Sequence, residues 1–526
     1  MEAMKRRRYS SCIATGALGL ALVALAACSQ GDSISEVPAT DGSAALQGPI
    51  AFVNNTGDRT LTSVALRGDT GNVALNTLGT PSASNPLGVF DGKALGDMQF
   101  TSGEWVFVNI SGIPDGQNNS QNVGNKVAAL DPINAATPIH RTNLPAGVRP
   151  VHIYRDPTNG EVVWSMNDTI TTNTTTPGDD TINCNNPARP GGPVEGGSVT
   201  IIHNSHQGPG ADNPEVQATV CLLADGHKVA AFSQPTATDA TILRRAFVSS
   251  ETAGEIAVID NEPNSSTKYQ MIRRIDMCNS QKETCNAENP TGTTAFTSNG
   301  SAPHGIRWSK LTGKIYSIQE GYGEIAEIDP KTFDITNRID LTGTPYTSFG
   351  ISPDGRFLLL RGDTPSPTGT KLGVIDLGTA NNPRTDFSIP ELAGTAPGAF
   401  KFSPDGKRFY ILAGNAATAT KKDRLFAFDA SKLVPVAPAT EPVLTLLSEI
   451  QLLQTGGHGM DVLVQGASGA GEAKYIVVSN TGTPGSVSII NATDNSIKQH
   501  VGVGPAPNGV LVYYPGAAET GNQASN

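Results

Sequence analysis

The chain has 526 residues, with 57 Gly and 36 Pro, 16% charged, 38% hydrophobic and 6% aromatic side chains, and a formal net charge of −11. So many backbone breakers argue for short elements joined by turns, while the apolar share still fills a sizeable core. That excludes both a long-helix protein and a charge-rich disordered one. An acidic surface repels phosphate backbones and attracts cations, so no nucleic-acid partner is expected.

Lys5, Arg6, Arg7 and Arg8 precede an uncharged, mostly apolar run from Ile13 to Ala27. The run is short for a membrane span and has the layout of a cleaved export signal. It ends Leu25-Ala26-Ala27-Cys28, which resembles the lipobox of bacterial lipoproteins. The resemblance implies cleavage after residue 27 and acyl chains on Cys28 that hold the protein on a membrane. An ordinary signal peptide with an incidental Cys28 is the alternative. Ser29 in place of Asp resembles the outer-membrane sorting pattern, which implies a lipid-anchored protein of the bacterial cell envelope. Loss of residues 1–27 removes four positive charges and Glu2, taking the net charge from −11 to −14. Residues 28–49 then read as the lipidated Cys and a flexible Gly/Ser/Ala-rich tether, 50–516 as the folded domain, and 517–526 as a disordered tail.

Beyond Cys12 and Cys28 four cysteines remain, an even number in an oxidising setting. Cys278 and Cys285 are placed to close a small loop, leaving Cys184 and Cys221 as the other pair. No CxxC pair of the zinc-ribbon kind occurs, and no CxxCH for covalent haem.

One supersecondary unit recurs along the chain. Its clearest copies are AFVSSETAGEIAVID at Ala246 to Asp260, KIYSIQEGYGEIAEID at Lys314 to Asp329 and YIVVSNTGTPGSVSII at Tyr475 to Ile490. AFVNNTG with LTSVAL, WVFVNIS with VAALD, VVWSMND with VTIIH, FLLLRGD with LGVID and FYILAGN with LFAFD complete eight. Apolar stretches precede the units, two of them ending in the SPDG turns of FGISPDGR and FKFSPDGK, and alternating runs such as ITNRIDL follow. Four short antiparallel strands per unit of about 45 residues make a propeller blade. The expected fold is an all-β propeller of eight blades, with seven as the alternative. NGVLVYY near the C-terminus repeats the innermost strand and completes the three-stranded first blade, removing both open edges.

These repeats resemble the YVTN-type β-propellers, a superfamily that includes haem d1 domains, lactonase-like enzymes and the propeller half of nitrous oxide reductase. The resemblance covers roughly residues 50 to 516 and implies fold far more than reaction. The adjacent His-His pair of nitrous oxide reductase is missing, as are the periodic Trp motifs of quinoprotein propellers; only Trp105, Trp164 and Trp308 are present. No GxSxG elbow, P-loop or EF-hand pattern occurs.

Alignment of the innermost strands places His152, His227, His304, Thr347, Gly398, His458 and Asn508 at one shared position, and so on a ring around one mouth of the central channel. Half of the eight histidines fall there. Imidazoles converging from neighbouring blades suit a zinc or copper ion, with Zn–N bonds of about 2.0 Å. Taken singly, such a histidine more often caps a strand; the coincidence of four is what points to a metal. Glu251, Glu320 and Asn508 lie near the ring as candidate outer partners or bases. The segments Asp168 to Gly196 and Cys278 to Ser301 should form a disulfide-braced rim on the same face. His203 and His206 read as exposed loop residues, and His140 and His500 as surface residues of outer strands. The RGDT copies at Arg67 and Arg361 fall in equivalent turns and read as repeat echoes.

Ligands are more legible than any catalytic base. The expected function is therefore binding: a lipid-anchored propeller holding zinc or copper for metal handling, or docking a protein partner at the ring face. A metal-free interaction scaffold is one alternative. The other is an enzyme, either a lactonase-like hydrolase or a metal- or haem-dependent redox protein.

Overall fold

The computed structural model describes residues 49–513 apart from 69–70, 79, 81–89, 91–93, 102–104, 112–125, 131–139, 145–148, 169–183, 187–193, 205–213, 225, 293–295, 345, 363–369, 415–422, 434–442, 454–458 and 465–471. The expected export signal, Cys28, the tether, the C-terminal tail, His206 and His458 lie outside the described residues.

Eight four-stranded antiparallel sheets follow one another along the chain, and they are the blades of the expected propeller. Numbered from the N-terminus, blade 3 begins at Arg149–Arg155, blade 4 at Ala230–Ser233, blade 5 at Pro303–Ser309 and blade 8 at Met460–Val464. In blades 2 and 4 to 8 the strands are hydrogen-bonded in sequence order, so each blade is a local meander. Blade 3 also follows chain order but carries a two-stranded hairpin, Asn185–Asn186 with Val194–Glu195, between its second and third strands.

Burial explains why the repeats are legible. The second and third strands of a blade are buried almost throughout, and in Arg245–Ser250 and Glu255–Asp260 at every position. They are covered on both faces and so read as near-continuous apolar runs. Outermost strands such as Thr445–Gln451 alternate between exposed and covered residues, which is the polar alternation seen in ITNRIDL and its counterparts. The core lies between blades: Trp164 of blade 3 packs edge-on to Phe232 of blade 4 at 5.3 Å in a cluster that continues to Ile306 and Ile315 of blade 5. Each SPDG turn carries its glycine at positive φ, 81° at Gly355 and 71° at Gly406. A Cβ at Gly355 would lie 2.9 Å from the Lys310 nitrogen, so close approach as well as conformation demands glycine there.

The C-terminal strand, Pro507–Tyr513, pairs with Ile50–Asn55 and makes blade 1 four-stranded, as expected. Side chains fasten this closure. Asn54 accepts the Gly509 N–H and donates to the carbonyls of Leu95 (3.3 Å) and Gly96 (2.8 Å) in blade 2. The buried Asp461 carboxylate of blade 8 accepts the Val512 N–H at 2.6 Å and is ion-paired to Lys401 of blade 7.

Both expected disulfides are formed, Cys184–Cys221 and Cys278–Cys285. The first ties the hairpin segment to the outer strand of blade 3, Pro214–Cys221. Two expectations about lone histidines are corrected. His500 does lie in an outer strand, Ile497–Val503, but it is buried and its Nδ1 is 3.0 Å from the Ser488 hydroxyl, a bond made within the sheet. His203 ends a strand, Ser198–Asn204, and is half-buried with Nε2 3.3 Å from Glu161. His140 lies in the outer strand His140–Asn143.

Candidate functional site

Three of the four ring histidines, those of blades 3, 4 and 5, come together. The His152 and His227 ring centroids are 4.8 Å apart, and those of His227 and His304 5.2 Å. The Nε2 atoms of His152 and His227 face each other at 3.0 Å. His458, expected on the opposite side of the channel, lies outside the described residues.

The three do not reach the axis from one identical register, which corrects the simple alignment. His152 pairs across its sheet with Met166, one residue after a bulge. His304 sits inside the bulge between Pro303 and Ile306. His227 precedes its strand, its carbonyl accepting the Glu251 N–H at 3.2 Å. A bulge adds a residue without lengthening the ladder and re-aims the side chains beside it. That freedom lets three slightly different backbone positions converge.

Each imidazole is held from behind. His152 Nδ1 donates to Asp97 of blade 2 at 2.6 Å, and His227 Nδ1 to Asp168 of blade 3 at 2.9 Å. His304 Nδ1 lies 2.9 Å from Glu320 of its own blade and 3.2 Å from the Thr347 carbonyl of blade 6. A carboxylate only accepts, so a neutral ring facing one keeps its proton on Nδ1 and turns a lone pair outward at Nε2. Carboxylates placed in this way are what fix the tautomer and raise the basicity of metal-ligating histidines. Glu320, one of the candidate partners, is thus in contact with a ring. Glu251 is half-buried nearby, and Asn508 offers its main-chain carbonyl to the Ser479 hydroxyl at 3.4 Å.

Asp97 and Asp168 were not singled out in the sequence. Asp168 had a signal: the second strands of blades 3, 4 and 5 end in cross-strand pairs at Asn167, Ser250 and Gln319, and the next residues are Asp168, Glu251 and Glu320. Asp97 had none, because the blade 2 strand ALGDMQF has no histidine with which to align it.

The surroundings set the charge states. Burial pushes the His227 imidazole below its ordinary pKa despite the bond to Asp168, with the neighbouring imidazoles acting in the same direction, so the ring favours its neutral form. The bond to Glu320 raises His304. Burial would raise Asp168, but the bonds from His227 and from the Lys228 N–H (2.9 Å) hold it below the usual range. Lys228 is wholly buried beside it, donates to the Gly226 carbonyl at 2.7 Å, and is lowered by burial to about 8.

The rim segment after blade 4 is pinned to the blades. Arg274 donates to the carbonyls of Asn289 (3.2 Å) and Gly292 (3.0 Å) and lies over the Phe296 ring at 4.1 Å. Asn279 donates to Glu324 of blade 5 at 2.9 Å, and Asn299 to the Gly254 carbonyl of blade 4 at 2.9 Å. This braced segment runs directly into Pro303 and His304. Among the described residues, no three His, Cys, Asp or Glu side chains are gathered into a closed metal-binding cluster. The arrangement is a His152–His227 pair with His304 beside it, turned toward Glu320.

No protein-family model matches the chain, and no curated protein does. Solved structures do. The dihydro-haem d1 dehydrogenase NirN, solved in complex with DHE, is 13% identical with a TM-score of 0.51 over 91% of this chain and 78% of its own. The periplasmic gluconolactonase PpgL of Pseudomonas aeruginosa is 15% identical, TM-score 0.44, over 77% and 99%. A putative 6-phosphogluconolactonase from Bacteroides uniformis is 14% identical, TM-score 0.44, over 78% and 100%. At these identities likeness is informative about architecture alone: the chain is an eight-bladed β-propeller of the kind on which the haem d1 dehydrogenase is built.

Proposed function

We propose that this chain is a lipid-anchored, extracytoplasmic propeller that binds a divalent transition metal, zinc or copper, at the axial histidines, for metal handling or to complete a partner-binding face. One observation carries the metal reading. With both Nδ1 protons directed at carboxylates, the Nε2 lone pairs of His152 and His227 oppose each other across 3.0 Å. Two lone pairs at that distance repel unless a cation joins them. A proton shared by the two rings or a metal ion can serve as that cation; burial of His227 works against the proton on that ring, and the backing carboxylates suit a metal ion. Two ligands on a tetrahedral ion with bonds of about 2.0 Å are ~3.3 Å apart, close to the spacing found.

Zinc and copper fit imidazole donors better than calcium or magnesium, which prefer oxygen. The carboxylates in contact with the rings, Asp97, Asp168 and Glu320, are all engaged at Nδ1. Export is supported by the two disulfides, which persist in oxidising compartments, and anchoring by the Leu25-Ala26-Ala27-Cys28 sequence.

Elemental analysis of the mature domain from the periplasm, beside a variant with His152, His227, His304 and His458 changed to Ala, tests the site. Near-stoichiometric zinc or copper that disappears in the variant is expected. A wild type that takes up neither metal after reconstitution would overturn the reading and leave a metal-free interaction propeller. Cys28→Ser should release the full-length protein from the membrane fraction.

A further inference from the structure

His304 departs from the rule its neighbours follow. His152 of blade 3 is backed by Asp97 of blade 2, and His227 of blade 4 by Asp168 of blade 3. In both the carboxylate comes from the preceding blade. By that rule His304 of blade 5 should be backed from blade 4, at the position equivalent to Asp168, which is occupied by Glu251. The equivalence is structural: Asp168 follows the closing pair Asn167–Ser198, and Glu251 follows the closing pair Ser250–Glu255. Yet His304 Nδ1 is held by Glu320 of its own blade and by the Thr347 carbonyl. Glu251 meanwhile stands half-buried beside the ring, its main-chain N–H bonded to the His227 carbonyl.

We infer that Glu251 is the carboxylate that backs His304 when the site is loaded, and that the contact with Glu320 is a parked position. On metal binding the His304 ring exchanges Glu320 for Glu251 at Nδ1 and brings Nε2 to the ion as the third imidazole. The open His152–His227 pair thereby becomes a closed three-histidine centre, with each ring backed from the preceding blade. This rests on the metal reading given above.

Three features support the exchange. The His152 and His227 Nε2 atoms already face each other at 3.0 Å, so His304 is the ring that has to move. The His227 and His304 rings are already 5.2 Å apart between centroids, so the movement needed is of a side chain and not of a blade. The Glu251 main chain is bonded to His227, whose ring is the immediate neighbour of His304. The repeat also supplies an acid at this position in three successive blades, and parking on Glu320 uses the one that has no histidine in the following blade: blade 6 carries Thr347 there.

The test is zinc affinity measured by competition with a chromophoric chelator in the wild type, Glu251→Gln and Glu320→Gln, with zinc-edge X-ray absorption to count imidazole ligands. Loss of an outer-shell carboxylate typically costs about 10–100-fold in affinity. Glu251→Gln should lose that much and drop one imidazole from the zinc shell, a change that a merely structural role would not produce. Glu320→Gln should bind as tightly as the wild type or more so, because it only weakens the parked state. A Glu251→Gln variant within threefold of the wild type with its imidazole count unchanged overturns the inference while leaving the metal site standing. A Glu320→Gln variant that alone loses affinity overturns it too, by placing the loaded His304 on Glu320. A wild type that binds no zinc or copper refutes the metal reading itself.

Discussion

Asp168→Asn removes one negative charge and reverses half of an acceptor group, and its consequences can be worked from three contacts and one neighbouring charge. The carboxylate accepts from His227 Nδ1 at 2.9 Å and from the Lys228 main chain at 2.9 Å, meets the exposed Arg149 at 3.4 Å, and its charge acts on the wholly buried Lys228 ammonium. An amide offers one oxygen and one NH2, so one of the two N–H donors is left facing another donor. A hydrogen bond to a charged group contributes about 1.5–3 kcal/mol, and a buried cation that loses its compensating charge costs about 3–5 kcal/mol. Because the amide still accepts one bond, a loss of about 2–4 kcal/mol is expected. At the site, His227 loses the group that holds its proton on Nδ1, and zinc affinity should fall about 10–100-fold. Urea denaturation of the metal-free protein reads the first effect and chelator competition the second. Unchanged zinc affinity in a variant that has lost stability would refute the argument that the carboxylate sets the tautomer of His227.

Glu255 predicts a pH dependence. It is buried at 0% exposure beside Arg274 at 3.5 Å, and burial raises it from 4.5 to about 7. Its contribution to stability is fully present below pH 4.5 and is lost as pH rises through 7, since only the unfolded chain ionises in that window; the loss is on the order of 3 kcal/mol. Urea midpoints at pH 5 and pH 8 should therefore diverge more in the wild type than in Glu255→Gln, and equal divergence would refute the assignment. Asp461→Ala leaves the Val512 N–H and the Lys401 ammonium without their shared acceptor. It should cost about 3–5 kcal/mol and expose the C-terminal strand to limited proteolysis before the rest of the ring. Opening the Cys184–Cys221 bridge with a double Cys→Ser variant frees a loop of sequence separation 37, which the chain-entropy relation values at about 4 kcal/mol. The melting temperature should fall, with zinc binding little changed.

The blades were legible in the sequence because each is a local object. Its four strands are joined by short connections, its two middle strands are covered on both faces, and its outer strand is covered on one; hence the repeat of apolar runs followed by alternation, as in AFVSSETAGEIAVID and ITNRIDL. Closure by Pro507–Tyr513 was legible for the same reason, since an orphan copy of the innermost strand has one vacant place to fill. The nearness of His152, His227 and His304 follows from their places in consecutive repeats. What holds them was not legible. Asp97 and Asp168 reach their histidines from neighbouring blades, 55 and 59 residues away in the chain. Such contacts depend on how one blade is set against the next and on the bulges that re-aim the side chains, and neither leaves a periodic trace. The burial of His500, in a strand position that reads as surface, has the same origin. The sequence by itself determined the blade, left the count at eight or seven, and set the three histidines in consecutive repeats, because those are properties of a repeat. The tertiary structure alone decided which nitrogen each ring presents to the axis, because that depends on which acceptor the packing of two blades places behind it.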